Sequence, residues 1–349
     1  MSRRVAFVFP GQGSQSVGMG KDVYESSAAA RAVYELADHA LGFSLSQFCF
    51  EGPEETLRET INTQPALVAT SLAFLAALQE AAGAPAAEGG EPALSQPLRP
   101  GFVAGHSVGE YSALAAAGAL SIAEALLLVR ERGRLMHLES TRCDSGMAAI
   151  LGMDRATLEP ICEEATAQAR AALGAAADAS ATHPGAGRVV VANDNAPGQL
   201  VISGARDALE RAMELAKAQG AKRVVPLSVS GAFHSPVMLP AAEGLARAVS
   251  DAPIADATVP IIANITARPV QAAAEVREEL ARQIASPVQW TRTVEYLADA
   301  GVETFVEIGA GQVLSGLIKR IAKGVTILSV GAAADVAPVA EQLRALMGE

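Results

Sequence analysis

The first apolar run of the chain, Arg4-Val5-Ala6-Phe7-Val8-Phe9-Pro10, is continuous rather than alternating and stops at a proline. That is the pattern of a short strand buried on both faces. Helical and strand patterns then alternate, which predicts an α/β layer with a largely parallel sheet. Gln64-Pro65 opens a helix that runs through Leu78, with Pro65 at the first helical position, where its missing N–H costs nothing. Residues 83–100, rich in Ala, Gly, Pro and Glu, have no periodicity and read as an exposed loop. The run Gly101-Phe102-Val103-Ala104 is a brief strand, Tyr111 to Ala117 a helix, and Ile122 to Leu138 a long amphipathic helix.

The texture changes near residue 144. A strand at Met147–Leu151 and a helix from Asp154 to about Leu173 precede a second low-complexity stretch, Gly174 to Gly187. Strands at Arg188–Ala192 and Gln199–Ser203, a helix at Asp207–Gln219 and a strand at Arg223–Leu227 follow. This strand-helix-strand-strand-helix-strand order is that of a ferredoxin-like split βαβ unit. The expected organisation is a large, hydrolase-like α/β domain over residues 1–143 and 227–349, with a ferredoxin-like small domain inserted at 144–226. The large domain resumes with a helix near Pro240–Ser250, strands near Val259–Ala263 and Thr304–Ile308, and a helix from Val313 to Ala322.

Composition narrows the function classes. Half of the 349 residues are apolar and 19% are charged, enough to bury a substantial core. The net charge of −11 argues against a nucleic-acid partner. Cys49, Cys143 and Cys162 are scattered and odd in number, which suggests free thiols in a reducing compartment. The five histidines form no His-x-x-x-His pair, so no metal site is expected. The run after Arg3-Arg4 is too short for a signal peptide, and no window approaches a bilayer span. A cytoplasmic protein with no membrane attachment is the expectation.

The chemistry centres on Gly105-His106-Ser107-Val108-Gly109, between a short strand and an alanine-rich helix. Gly-x-Ser-x-Gly in that context is a nucleophile elbow, with a strained serine whose hydroxyl is pushed out of the turn. Amides at the start of the following helix are placed to meet a developing oxyanion. A serine nucleophile needs a base. His39 on a polar helix face and His137 near a helix end are expected to be solvated, His183 in the second low-complexity stretch disordered or exposed, and His106 points away from the serine. His234, in the loop Ser230-Gly231-Ala232-Phe233-His234-Ser235-Pro236, is left as the base; the plain alternative is a loop histidine bonded to backbone. No acidic third member presents itself, since Asp194 and Asp207 fall in the small domain, which leaves a backbone carbonyl or an amide as the orienting group.

Six motifs occur in order: Pro10-Gly11-Gln12-Gly13-Ser14-Gln15, Thr63-Gln64-Pro65-Ala66-Leu67, Gly105–Glu110, Arg130-Glu131-Arg132-Gly133, Gly231–Ser235 and Pro287-Val288-Gln289-Trp290. Together, over residues 4 to about 322, they resemble the malonyl-CoA:acyl-carrier-protein transacylases and the related acyltransferase domains of polyketide synthases. The resemblance implies Ser107 as nucleophile, His234 as general base, and the backbone carbonyl of Gln289 as the group that orients the histidine. It also implies an oxyanion hole from the amides of Gln12 and Val108, Arg132 as the partner of the malonyl carboxylate, and Phe233 beside the substrate. The alternative for Arg132 is a surface salt bridge with Glu131 or Glu124. The Gly11–Gly13 loop is no dinucleotide fingerprint, because Ser16 stands where that pattern needs glycine.

The resemblance further implies malonyl-CoA and an acyl carrier protein as partners, no resident cofactor or metal, and a monomer. Val108 and the Gly231–His234 segment are similar to malonyl-selective members, and Ala310 replaces a proline common in the family. Two rival readings remain. An esterase or thioesterase on the same elbow would release free malonate without any acceptor, and a non-catalytic carrier-docking protein would form no acyl-enzyme. For the acidic carrier, Lys222-Arg223 and Lys319-Arg320 with Lys323 are candidate docking clusters, each of which is otherwise a solvated face.

Overall fold

A computed structural model describes residues 2–84, 91–174 and 183–348 of the chain. Among the described residues, ten strands form two sheets: β1 (Ser2–Phe9), β2 (Pro100–Gly105), β3 (Ser145–Leu151), β4 (Val189–Ala196), β5 (Gln199–Ala205), β6 (Arg223–Pro226), β7 (Ile261–Ile262), β8 (Pro269–Val270), β9 (Thr304–Ile308) and β10 (Thr326–Val330). The larger sheet has the order β10-β9-β1-β2-β7-β8 and is parallel except for β8. The continuous apolar run of β1 has a direct cause. Val5, Phe7 and Phe9 point into one core while Ala6 and Val8 point into another on the opposite face.

The smaller sheet, ordered β4-β5-β3-β6, is antiparallel throughout. Helices Arg155–Leu173 and Arg206–Ala218 pack on it around a separate core that includes Ile150, Leu158, Ile202 and Leu209. Asp154 caps the first of them by accepting the Thr157 amide at 2.8 Å.

Four expectations change. The helix expected to open at Pro65 runs from Thr60 to Ala81, with Pro65 inside it. Proline leaves the carbonyl four residues earlier without its helical donor. Here Arg130 supplies the missing donor, its Nη1 reaching the Ile61 carbonyl at 2.7 Å. This helix is also long and apolar enough to cross a membrane, against the expectation of no such window, but 94% of its apolar stretch is buried inside the protein. It is a core helix by placement. The loop expected to be exposed at 83–100 is partly buried where it is described. Gln79 donates to the carbonyls of Leu94 and Leu98 and accepts the Leu98 amide, drawing both leucines inside. Residues 85–90 of that stretch, and 175–182 of the second one, lie outside the described residues. Finally, His183, expected to be exposed, is largely covered and meets Glu139 at 3.1 Å. The sequence pattern left out helices Ala273–Gln283 and Trp290–Asp299, both of which bear on the site.

Candidate active site

Strand β2 ends at Gly105 and a helix begins at Gly109, so the chain reverses within three residues. A Cβ on Gly105 would sit 2.0 Å from the Gly109 backbone, and one on Gly109 would sit 2.3 Å from the Phe9 carbonyl oxygen. No residue with a side chain fits either position. Between them Ser107 adopts φ 53°, a left-handed conformation that a serine pays for with about 1–3 kcal/mol of strain. Asn264 holds it there: its Oδ1 accepts the Ser107 amide at 2.7 Å and its Nδ2 donates to the Gly105 carbonyl at 2.8 Å.

His234 is the second strained residue, at φ 57°. Its Nε2 lies 2.7 Å from Ser107 Oγ. On the other side of the ring, Nδ1 lies 3.1 Å from two backbone carbonyls, those of Gln283 and Ser286. Carbonyls only accept, so Nδ1 carries the proton and Nε2 presents its lone pair to the serine. The Gln283 carbonyl belongs to the last residue of helix Ala273–Gln283, where the helix dipole is negative, and the Ser286 carbonyl lies three residues further on, in the turn that follows. A helix end and its turn therefore do what an aspartate does in other triads. Burial, then the charge of Arg132, lower the His234 pKa to about 3. The imidazole is thus the neutral, basic form at neutral pH.

Gln289 does not take the orienting role expected of it. It is the N-cap of helix Trp290–Asp299, and its carbonyl accepts the Thr293 amide at 3.0 Å as that helix's first bond. Its side chain donates instead to the Ile265 carbonyl. The carbonyls that meet the ring are those of Gln283, which ends the preceding helix, and of Ser286 in the turn after it. Asp194 and Asp207 stand apart from His234, and Asp194 accepts the Thr291 hydroxyl at 2.6 Å.

Arg132 is 1% exposed. Its Nη1 donates to Gln64 Oε1 at 2.5 Å, and its Nη2 donates to Gln283 Oε1 at 2.8 Å and to Ser107 Oγ at 3.1 Å. The surface salt bridge does not form: Glu131 pairs with Arg134, and among the described residues no carboxylate lies within ion-pair distance of Arg132. A buried guanidinium surrounded by neutral acceptors is costly, and burial lowers its pKa. It is a buried cation with no ion-pair partner among the described residues.

These groups share a cavity of about 480 Å³, the size of a small-ligand site. Gln12, Val108, Phe233 and Met136 line it from the larger sheet's side, and Met147, Asn193, Asn195 and Val201 from the smaller sheet. Among the described residues, neither the Gln12 nor the Val108 amide donates to a protein acceptor. His106 makes no hydrogen bond to Ser107 Oγ among the described residues but lines this cavity, its Nε2 on Asn195 Oδ1 at 2.8 Å. Burial lowers its pKa. His39 and His137 are exposed, as expected. Sequence reasoning missed Asn264, Glu110 and Gln283 as parts of the site. Nothing local marks the first and last, which are recruited across more than 150 residues.

The acyl transferase domain profile matches residues 6–165 and 160–340. The chain is similar to the malonyl CoA-acyl carrier protein transacylase of Bacillus subtilis, at 42% identity over 94% of this chain and 93% of that one. Among solved structures it is similar to the acyl-carrier-protein S-malonyltransferase of Bartonella henselae, with a TM-score of 0.86 and 39% identity over 97% of this chain and 99% of that one. It is also similar to a malonyl-transacylase solved in complex with its type II polyketide synthase acyl-carrier protein, with a TM-score of 0.85 and 36% identity over 97% and 99% of the two chains. A serine elbow, a carbonyl-oriented histidine and an unpaired buried arginine in one cavity agree with these likenesses, and the chain belongs to the malonyl-CoA:acyl-carrier-protein transacylase family of acyl transferase domains.

Proposed function

We propose that this protein moves a malonyl group from malonyl-CoA to the phosphopantetheine thiol of an acyl carrier protein, in fatty-acid biosynthesis, by a ping-pong route through malonyl-Ser107. The observation that carries this reading is the placement of Ser107 Oγ, 2.7 Å from an unprotonated histidine nitrogen and 3.1 Å from an unpaired buried guanidinium. His234 Nε2 takes the serine proton as Oγ attacks the thioester carbonyl. The unspent amides of Gln12 and Val108 receive the oxyanion. As the tetrahedral intermediate collapses, the C–S bond breaks and His234 returns the proton to the CoA sulfur. In the second half, the carrier thiol gives its proton to His234, attacks the serine ester, and Ser107 Oγ recovers the proton as it leaves.

Arg132 makes the site selective. The free carboxylate of a malonyl ester lies one methylene from the acyl carbonyl, so a group bonded to Ser107 Oγ brings it to the guanidinium. That pair supplies the missing anion and holds the acyl group for an in-line thiol. Phe233 forms part of the wall beside it. The chemistry draws on no group beyond the two substrates, and one chain supplies every residue of the site, in keeping with a monomer.

We read the larger unit, 1–143 and 227–349, as hydrolase-like, and the strand order of the smaller sheet as a ferredoxin-like insertion at 144–226. For the carrier, Lys222-Arg223 is the better docking cluster. Both residues are exposed, and the chain runs from them into Leu227–Val229, which line the cavity. Arg320 in the other cluster is already committed to the Pro197 carbonyl at 2.7 Å and to Gln199. Charge reversal at Lys222-Arg223 is expected to raise the KM for carrier and leave acylation by malonyl-CoA untouched.

The test of function is incubation with malonyl-CoA, with and without holo acyl carrier protein. Malonyl-carrier forms with the carrier, and CoA release stops near one equivalent without it. Steady release of free malonate in the absence of any acceptor would instead make this a thioesterase.

A further inference from the structure

Glu110 is a buried acid that the transfer chemistry leaves unused. It is 1% exposed, and among the described residues no cation pairs with it. Burial, then the nearby Glu279 carboxylate, push its carboxyl well above the usual carboxylate range, so the fold carries a costly group at this point. Both its oxygens are occupied. Oε1 accepts the Asn264 amide at 2.9 Å, and Oε2 accepts Gln283 Nε2. Each of those partners then touches Ser107, through the Asn264 Oδ1 contact already described and through Gln283 Nε2, which donates to the Ser107 carbonyl at 2.9 Å.

The hydrogen-bond inventory of Gln283 makes this arrangement directional. A side-chain amide has one accepting end and one donating end. With Glu110 Oε2 and the Ser107 carbonyl both on the donating end, the accepting Oε1 must face Arg132 Nη2, where it is found at 2.8 Å. An amide turned the other way would aim N–H groups at a guanidinium.

We infer that Glu110 is a positioning residue of the acyl site: by accepting from Gln283 it fixes that amide with its oxygen toward Arg132, and so holds the guanidinium where the substrate's carboxylate arrives. This rests on the reading of Ser107 as nucleophile and Arg132 as carboxylate partner.

The test measures acylation of the full-length protein by malonyl-CoA and by acetyl-CoA, read by rapid-quench intact mass, in Glu110→Gln, Gln283→Met, the double variant and Arg132→Ala. Glu110→Gln keeps the shape but puts an NH₂, which can only donate, where an oxygen accepted from Gln283. The Asn264 amide is fixed in the backbone and keeps the remaining oxygen, so the new N–H faces Gln283 and turns its side chain over. The malonyl rate is expected to fall about tenfold, the scale of one charge-assisted hydrogen bond, with the acetyl rate changed less than about threefold. Gln283→Met should lower the malonyl-to-acetyl ratio similarly, and the double variant should fall no further, because both changes cut one linkage. A folded Glu110→Gln protein with the parental ratio, or losses that multiply in the double variant, would overturn the inference. If thermal melting shows Glu110→Gln unfolded, an unchanged ratio in Gln283→Met overturns it equally. Arg132→Ala separates the two levels: equal loss for both substrates there removes the arginine reading, and the role of Glu110 with it.

Discussion

The two strained residues of the site, Ser107 and His234, share a left-handed backbone but are held there by different means. The serine elbow is largely a local construction, in which two glycines allow strand, turn and helix to touch within five residues. The histidine is held from a distance, its amide on the Ile284 carbonyl at 2.9 Å and its ring on the Gln283 and Ser286 carbonyls, some 50 residues further on. Damage to the first therefore reaches the fold, whereas damage to the second reaches mainly the chemistry.

Gly105→Ala should show the largest effect. Its Cβ would overlap the Gly109 backbone, which cannot move without parting β2 from the following helix. A loss of about 3 kcal/mol in unfolding free energy, the upper end of overpacking, is expected in a denaturant titration. Unchanged stability would mean that the elbow is looser than its contacts indicate. His234→Ala, by contrast, should fold with nearly parental stability and lose about 10²–10⁴-fold in acylation rate. The same histidine sets the pH response. Its pKa of about 3 lies well below that of a free imidazole, so the base remains unprotonated as the pH falls through 6. The acylation rate at limiting malonyl-CoA should stay flat down to about pH 4.5. A half-fall near pH 6.5 would show a solvated imidazole instead.

A smaller, selective effect is expected at the arginine that both regions face. Arg132→Ala should reduce kcat/KM for malonyl-CoA by about ten- to a hundredfold and leave acetyl-CoA much less affected. Gln289→Ala should be the mildest. Its carbonyl serves its own helix and remains after the substitution, so acylation should change by less than about threefold, the scale of a single surface contact. A loss matching that of His234→Ala would restore Gln289 to the orienting role that the structure gives to Gln283 and Ser286.

The same contrast explains what could be read from the chain. The elbow was legible because its constraint is written in adjacent residues, glycine at 105 and 109 around Ser107. The buried strand β1 was legible because burial on both faces forces a continuous apolar run. His234 emerged by elimination among five histidines, but its orienting group did not. Two glutamines six positions apart stand near the same motif, and only the path of the chain shows that the carbonyl of Gln289 begins a helix while that of Gln283 ends one. Pro65 misled for a similar reason. Local helix rules place it at a first turn, whereas the donor that allows it inside a helix comes from Arg130 on another element. Asn264 and Glu110 act through hydrogen bonds spanning 154 residues or more, which no local pattern encodes.

The central claim is that Ser107 carries the malonyl group between the two substrates. Its most direct test is intact-mass and peptide analysis of the protein after brief incubation with malonyl-CoA and no carrier. One malonyl adduct is expected, on the peptide holding Ser107, absent from Ser107→Ala and discharged when holo acyl carrier protein is added. An adduct that persists in Ser107→Ala, or malonyl-carrier produced at full rate by that variant, would contradict the account.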